Sequence, residues 1–140
     1  MRIEIPEDKK FVHESIIPIR WGDMDALGHV NNTVYFRYIE QARINWLDTY
    51  QLPVIRDGQG VVVVNAFCNF LKQVTYPADL LIKTYIANPT RVGVDTFNLM
   101  SLTTDPDTIY AAGGATMVWV DFKAQKAVSW PPDMKEKFRI

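Results

Sequence analysis

The order of apolar segments predicts an α+β fold in which one antiparallel sheet wraps around a single long helix. Three observations carry this reading. One strand-like segment precedes the helix and four follow it, an order of α+β type rather than an alternation of β and α units. The helix candidate is apolar on more than one face, which requires cover on more than one side. The links between the later strands are short and turn-forming, so sequence neighbours become antiparallel neighbours.

The first strand runs from Phe11 to Trp21, with Phe11, Ile17, Ile19 and Trp21 on one face and Val12, Ile16 and Pro18 on the other. Pro18 lacks an N–H and so favours an edge or a strand end. His13 reads as a surface or hydrogen-bonded histidine of this strand. From Thr33 to about Tyr50 the spacing turns helical, with Tyr35, Ile39, Ala42 and Trp46 in one row and Val34, Tyr38 and Ala42 in the next. A helix of that span is about 27 Å long. Arg37, Glu40 and Arg43 fall within one turn of each other and read as a local ion-pair set. Gln51-Leu52-Pro53 ends the helix, and Asp57-Gly58-Gln59-Gly60 forms a turn.

Val61 to Val74 is an almost continuous apolar run bearing Asn65 and Asn69, the pattern of a central strand covered on both faces. Strands at Leu80–Ala87, Val92–Leu102 and Thr108–Asp121 follow, divided by Asn88-Pro89-Thr90 and by Thr103-Thr104-Asp105-Pro106-Asp107. Gly113 and Gly114 inside the last of them indicate a bulge or close backbone packing, with the helix as a candidate neighbour. Ala124-Gln125-Lys126 makes a final turn, and Trp130-Pro131-Pro132-Asp133 opens a short C-terminal helix.

With 140 residues, 48% apolar and 22% charged, the chain is expected to form one domain, residues 1–140, without repeats or linkers. A formal charge of −1 gives no electrostatic reason for nucleic acid or an anionic membrane as partner. The N-terminal ten residues carry acidic groups and no apolar core of a signal peptide, and no run approaches a membrane span. Cys68 is the single cysteine, so no intrachain disulfide forms and the chain is compatible with a reducing compartment; the cytoplasm, or an organelle interior after import, is the expected location. Its place in an apolar strand pattern marks it as core rather than nucleophile. Two histidines and one cysteine in unrelated positions make none of the usual zinc sets, and no glycine-rich phosphate loop or dinucleotide fingerprint is present. Neither a metal nor a retained cofactor is expected.

Chemistry concentrates between Trp21 and Tyr35, where an acidic turn with Asp23 and Asp25 runs through Gly28 and His29 to Asn31-Asn32-Thr33 and the helix start. Asn is a favoured helix cap, and the free N–H groups of a first turn, aided by the helix dipole, can hold an oxyanion or a carbonyl oxygen. A carboxylate, an imidazole and backbone donors thus meet at one turn, which is half of an acyl-transfer site.

Arg20-Trp21-Gly22-Asp23-Met24-Asp25, Gly28-His29-Val30-Asn31-Asn32, Tyr35 and Glu40-Gln41-Ala42-Arg43 resemble the opening of the hotdog-fold acyl-CoA thioesterases, the 4-hydroxybenzoyl-CoA thioesterase-like family. Val61-Val62-Val63-Val64-Asn65, Tyr76-Pro77 with Asp79-Leu80-Leu81, and Val120-Asp121 with Lys123 resemble its later strands. Aromatic-CoA members carry Pro-Ala-Gly after the catalytic Asp. This chain has Ala26-Leu27-Gly28, which is more similar to the fatty acyl-CoA branch.

The resemblance implies a hotdog fold, a five-stranded antiparallel sheet around one long central helix, assembled as a homodimer or homotetramer with sites near the subunit interface. It implies hydrolysis of acyl-CoA thioesters with medium to long apolar acyl chains, coenzyme A entering only as part of the substrate. Asp25 is the implied catalytic carboxylate, as nucleophile or as general base. His29 is the second catalytic candidate, as an imidazole that orients water or the thioester. The N–H groups of Val30, Asn31, Asn32 and Thr33 are the candidate oxyanion site, and Tyr35, Tyr38 and Asn65 the candidate substrate contacts. Asp23 is expected to shape the turn. Glu40 is the rival carboxylate, less well placed because it does not precede the helix. A non-enzymatic acyl-CoA binding or scaffolding protein is the alternative, and an enoyl-CoA hydratase a further one whose Asn-Pro signature is absent. Coenzyme A and acyl carrier protein both remain open as carriers.

Overall fold

In the computed structural model, which describes residues 1–139, the chain runs β1 (Lys10–Pro18), α1 (Val34–Thr49), β2 (Ile55–Arg56), β3 (Gln59–Phe70), β4 (Asp79–Ala87), β5 (Gly93–Leu102), β6 (Ala111–Asp121), β7 (Lys126–Ala127) and α2 (Pro132–Lys137). The strands form one antiparallel sheet in the order β1-β4-β5-β6-β3-β2, with β7 added to β6. Five long strands are as expected. The sheet has seven because the Asp57-Gly58 and Gln125 turns each leave a two-residue strand. Asp57 and Gly58 both take positive φ, +52° and +76°, the backbone that a two-residue hairpin between β2 and β3 requires.

The sheet curls around one side of α1, which touches β1, β3 and β4. Tyr35, Tyr38, Ile39, Ala42, Trp46 and Leu47 are buried, so the expected rows do face the sheet. The cover is less complete than the apolar pattern implies. Phe36, Arg37, Glu40, Gln41 and Asp48 are exposed and Ile44 is half-buried. The core has two centres: Ile39, Ala42, Ile82, Met100 and Ala111 beneath the first half of the helix, and Trp46, Trp119, Trp130 and Phe138 beneath the second.

Close approach of sheet to helix depends on Gly113. A Cβ there would lie 2.6 Å from Ile39 Cδ1 and 2.7 Å from the Phe67 carbonyl oxygen, so the backbone contact read from the glycine pair is real. Among the described residues no helix is long and apolar enough to cross a membrane.

Two local expectations change. A bulge between Phe11 and His13 shifts the register of β1 against β4, so Phe11 turns outward while Ser15 and Ile19 face the core. Trp21 leaves the strand altogether for a 3-10 turn, Trp21–Asp23, and is exposed. The Val61–Val74 run, expected as a central strand covered on both faces, is instead the last long strand. It ends at Phe70, bulges between Val63 and Asn65, and among the described residues is paired beyond its partner β6 only at Gln59 and Gly60. Val63, Val64, Asn65 and Ala66 are therefore exposed. A free edge, not burial, accounts for this apolar stretch.

Candidate active site

The segment from Asp23 to Thr33 is held by a closed set of backbone bonds. Asp25 N–H donates to the His29 carbonyl and Gly28 N–H to the Asp25 carbonyl, both at 3.0 Å, inside a Met24–Val30 bridge. Gly28 has φ +77°, a left-handed position that glycine adopts at little cost. Val30 N–H donates to the Val74 carbonyl at 2.8 Å and Asn31 N–H to the Asp23 carbonyl at 3.0 Å. The turn is thus tied both to itself and to the segment after β3.

Asp25 is half-buried on this frame. Its Oδ1 accepts the Leu27 N–H at 3.0 Å and its Oδ2 the Asn31 side-chain amide at 3.1 Å. Donation from Leu27, then from Asn31, with a smaller attraction from His29, holds the carboxyl below its ordinary pKa of 3.8, because donors aimed at a carboxylate favour the charged form. The side chain is therefore fixed and ionised. Asp23 turns elsewhere, its Oδ2 accepting Arg20 N–H at 3.0 Å and Tyr38 O–H at 2.7 Å, which matches its expected role in shaping the turn.

Asp25, His29, Val30, Asn32 and Tyr35 line one open cleft of about 330 Å³ together with Phe70, Leu71, Lys72 and Gln73. Tyr35 packs edge-on against Phe70, ring centroids 5.0 Å apart, and burial raises its hydroxyl to about 12. His29 Nδ1 is buried without a hydrogen-bond partner among the described residues. Larger grooves lie between the Pro89–Arg91 turn and α2, about 550 Å³, and on the outer sheet face around Phe67 and Phe97, about 560 Å³. Neither holds the acid-imidazole pair.

The oxyanion site needs correction. Val30 and Asn31 N–H groups are engaged by the Val74 and Asp23 carbonyls. Thr33 N–H is engaged by Asn31 Oδ1 at 2.9 Å. Of the expected amides only Asn32 N–H has no partner among the described residues. Thr33, which stands at the helix cap, makes no side-chain bond to the first turn; Asn31 Oδ1 instead holds the N–H of the cap residue itself.

Two expected substrate contacts also move. Tyr38 is buried beneath the turn, bonded to Asp23, and lines a separate groove with Arg20, Arg37 and Glu40. Asn65 sits at the β3 bulge, where its Oδ1 accepts Thr116 N–H at 3.2 Å and its side chain borders the outer-face groove. Glu40 is exposed and paired with Arg37 at 2.9 Å, away from the cleft. The Phe70–Gln73 wall was missed. Its one sequence signal is the break from apolar to polar at Lys72-Gln73. Cys68 is half-buried, and burial pushes its thiol up to about 12.

Residues 19–138 match the model of the thioesterase-like superfamily. The uncharacterized protein YsmA of Bacillus subtilis is 30% identical over 121 residues, 86% of this chain and 80% of that one. Among solved structures, the PA2801 protein of Pseudomonas aeruginosa, described as a candidate thioesterase, superposes with a TM-score of 0.87 at 31% identity, covering 93% of this chain and 100% of that one. A candidate acyl-CoA thioesterase of Xanthomonas campestris gives 0.77 at 28% identity, covering 86% and 100%. With its curled sheet, its single long helix and these matches across most of its length, the chain belongs to the thioesterase-like superfamily, a family of thioester hydrolysis.

Proposed function

We propose that this chain hydrolyses acyl-CoA thioesters to the free acid and coenzyme A, with Asp25 as nucleophile or general base. The observation that carries the reading is the shared cleft, whose lining joins an ionised, doubly held Asp25 to His29 and to Asn32, the residue before the α1 cap whose N–H has no partner among the described residues. The likeness to the Xanthomonas candidate acyl-CoA thioesterase supports the carrier.

As a nucleophile, an Asp25 oxygen adds to the thioester carbonyl carbon. The carbon–sulfur bond then breaks, the thiolate leaves and takes a proton from solvent, and water hydrolyses the resulting anhydride. As a general base, Asp25 takes a proton from water, whose oxygen adds to the same carbon before the thiolate departs. In either course negative charge collects on the carbonyl oxygen. Asn32 N–H, with the helix dipole behind it, is the donor for that oxygen. Removal of one such donor costs about 2.7 to 4 kcal/mol in known acyl-transfer enzymes.

Phe70, Leu71 and Tyr35 give the cleft an apolar wall, suited to a medium to long hydrocarbon chain. The active form in this reading is at least a homodimer in the cytoplasm. The free outer edge of β3, with Val63 and Val64 exposed, offers unpaired backbone groups to a second copy.

Thiol release across a chain-length series of acyl-CoAs tests the reading. Hydrolysis is expected, lost in Asp25→Asn with circular dichroism and melting temperature retained. Equal rates in the two proteins would sink it. Acid quench and intact mass during turnover separate the two roles, since an acyl adduct on Asp25 marks the nucleophile.

A further inference from the structure

Asp23 and Asp25 sit two residues apart on one turn, yet they line different clefts. Asp25 lines the cleft with His29. Asp23 lines a separate groove with Arg20, Arg37, Tyr38 and Glu40. Two carboxylates free to share one site would raise each other's pKa, because like charges at short range disfavour ionisation. Asp25 is instead held low by donors, and the Asp23 carboxylate is bonded to Arg20 N–H and Tyr38 O–H, neither of which touches Asp25.

The group that draws Asp23 away is the phenol of Tyr38. Its O–H donates to Asp23 Oδ2 at 2.7 Å, and the only other donor to that oxygen among the described residues is Arg20 N–H at 3.0 Å. Tyr38 is 5% exposed on the buried face of α1, a rigid element. Burial first, then Asp23, raises its pKa, so the phenol remains a donor at every working pH. From Asp23 the connection runs on through hydrogen bonds. The Asp23 carbonyl accepts Asn31 N–H at 3.0 Å, and the Asn31 side-chain amide donates to Asp25 Oδ2 at 3.1 Å. A displacement of Asp23 therefore reaches Asp25 by charge and by the Asn31 contact together.

We propose that Tyr38 is a positioning residue for hydrolysis: by holding Asp23 against α1 it keeps a second negative charge out of the cleft and fixes the Asn31 amide on Asp25. This rests on the reading of Asp25 as the catalytic carboxylate. The other titratable groups facing Asp25 are His29 of its own turn, Tyr35 of α1 and Lys72 of the wall after β3. Of these, Tyr35 packs edge-on against the Tyr38 ring, centroids 6.0 Å apart, and all three residues are unchanged in the variants below.

Tyr38→Phe keeps the ring and removes the donor. Expected are a fall in kcat of roughly ten- to a hundredfold, the scale of a misplaced reacting group, little change in KM, and an upward move of the acid limb of the pH profile. Adding Asp23→Asn removes the second charge, and the double variant should return that limb toward the wild-type position. An acid limb that stays in place in Tyr38→Phe overturns the proposal, and so does one that moves but is not restored in the double variant. Carbon-13 titration of the Asp25 carboxyl in both variants reads the same shift without activity. Should Asp25→Asn retain turnover, the catalytic reading falls while this titration still decides whether Tyr38 governs Asp25.

Discussion

Asn31 joins the acid to the helix: its side-chain nitrogen donates to Asp25 Oδ2 at 3.1 Å while its side-chain oxygen Oδ1 accepts Thr33 N–H at 2.9 Å. One short side chain thus sets the start of α1 and the direction of the carboxylate. Asn31→Ala is expected to lose both. Stability should fall by about 1 kcal/mol, the net worth of a typical hydrogen bond, and kcat by roughly tenfold or more with KM little changed. Urea denaturation and steady-state kinetics on the same preparation check the pair. A loss of stability with unaltered kcat would confine Asn31 to helix capping.

The acid limb of activity should lie low. Asp25 is held below its ordinary value of 3.8 by Leu27 N–H first and then by Asn31. A depressed folded pKa contributes stability that is present above the unfolded value and is lost as pH falls through the folded one. The ionised, active form should persist below pH 3.8 for as long as the fold does. Carbon-13 titration of the carboxyl checks this, and in Asn31→Ala the midpoint should move upward.

Much of this was legible in the sequence because it is local. The row Tyr35, Ile39, Ala42 and Trp46 follows from helical period alone, and all four are buried. The Asp25–His29 turn follows from residue types within one short stretch. What was not legible depends on distant partners. Val30 N–H is removed from the oxyanion set by the carbonyl of Val74, far along the chain. Tyr38, apolar in period and so assigned to packing and substrate, is recruited by Asp23 through a hydroxyl that periodicity ignores. The β3 run reads as a buried central strand because an apolar edge and an apolar interior look alike in one dimension.

Lys72 should act on substrate binding and not on chemistry. Its stem borders the cleft, but its ammonium stands 5.6 Å from the centroid of the Tyr110 ring, and Tyr110 is outside the cleft lining. Asp105, bonded to the Tyr110 hydroxyl at 2.9 Å, lies beyond that ring and dilutes the positive field. Lys72→Ala is expected to raise KM for acyl-CoA several-fold, as loss of one charge contact does, while leaving kcat unchanged. For acyl esters of N-acetylcysteamine, which carry no phosphate, KM should not move. An equal effect on both substrates would assign Lys72 to the shape of the cleft.

Cys68 should be dispensable. It neighbours Tyr35 beneath the cleft wall, but burial pushes its thiol up to about 12, and a thiol that does not ionise at neutral pH is a poor nucleophile. Cys68→Ala is expected to retain turnover within about twofold, since surrounding packing and not reactivity is what the side chain supplies. Iodoacetamide should modify the native protein slowly and the urea-unfolded chain quickly, followed by intact mass. Rapid native alkylation with loss of activity would overturn this account.

Gly113 fixes how near the sheet comes to α1, and its replacement separates tolerable from intolerable crowding. Ile39 Cδ1, 2.6 Å from an added Cβ, is the end of a flexible side chain and can rotate away. The Phe67 carbonyl oxygen at 2.7 Å is backbone of the neighbouring strand, in register opposite Gly114, and cannot. Relief therefore requires β3 to separate from β6 locally, at a cost of about 1 to 3 kcal/mol, the range for overpacked cores. Gly113→Ala should lower the urea midpoint accordingly. Ile39→Val in the same chain removes only the side-chain part of the clash, so it should restore little of that loss; full recovery would locate the strain at the helix instead of the strand pair.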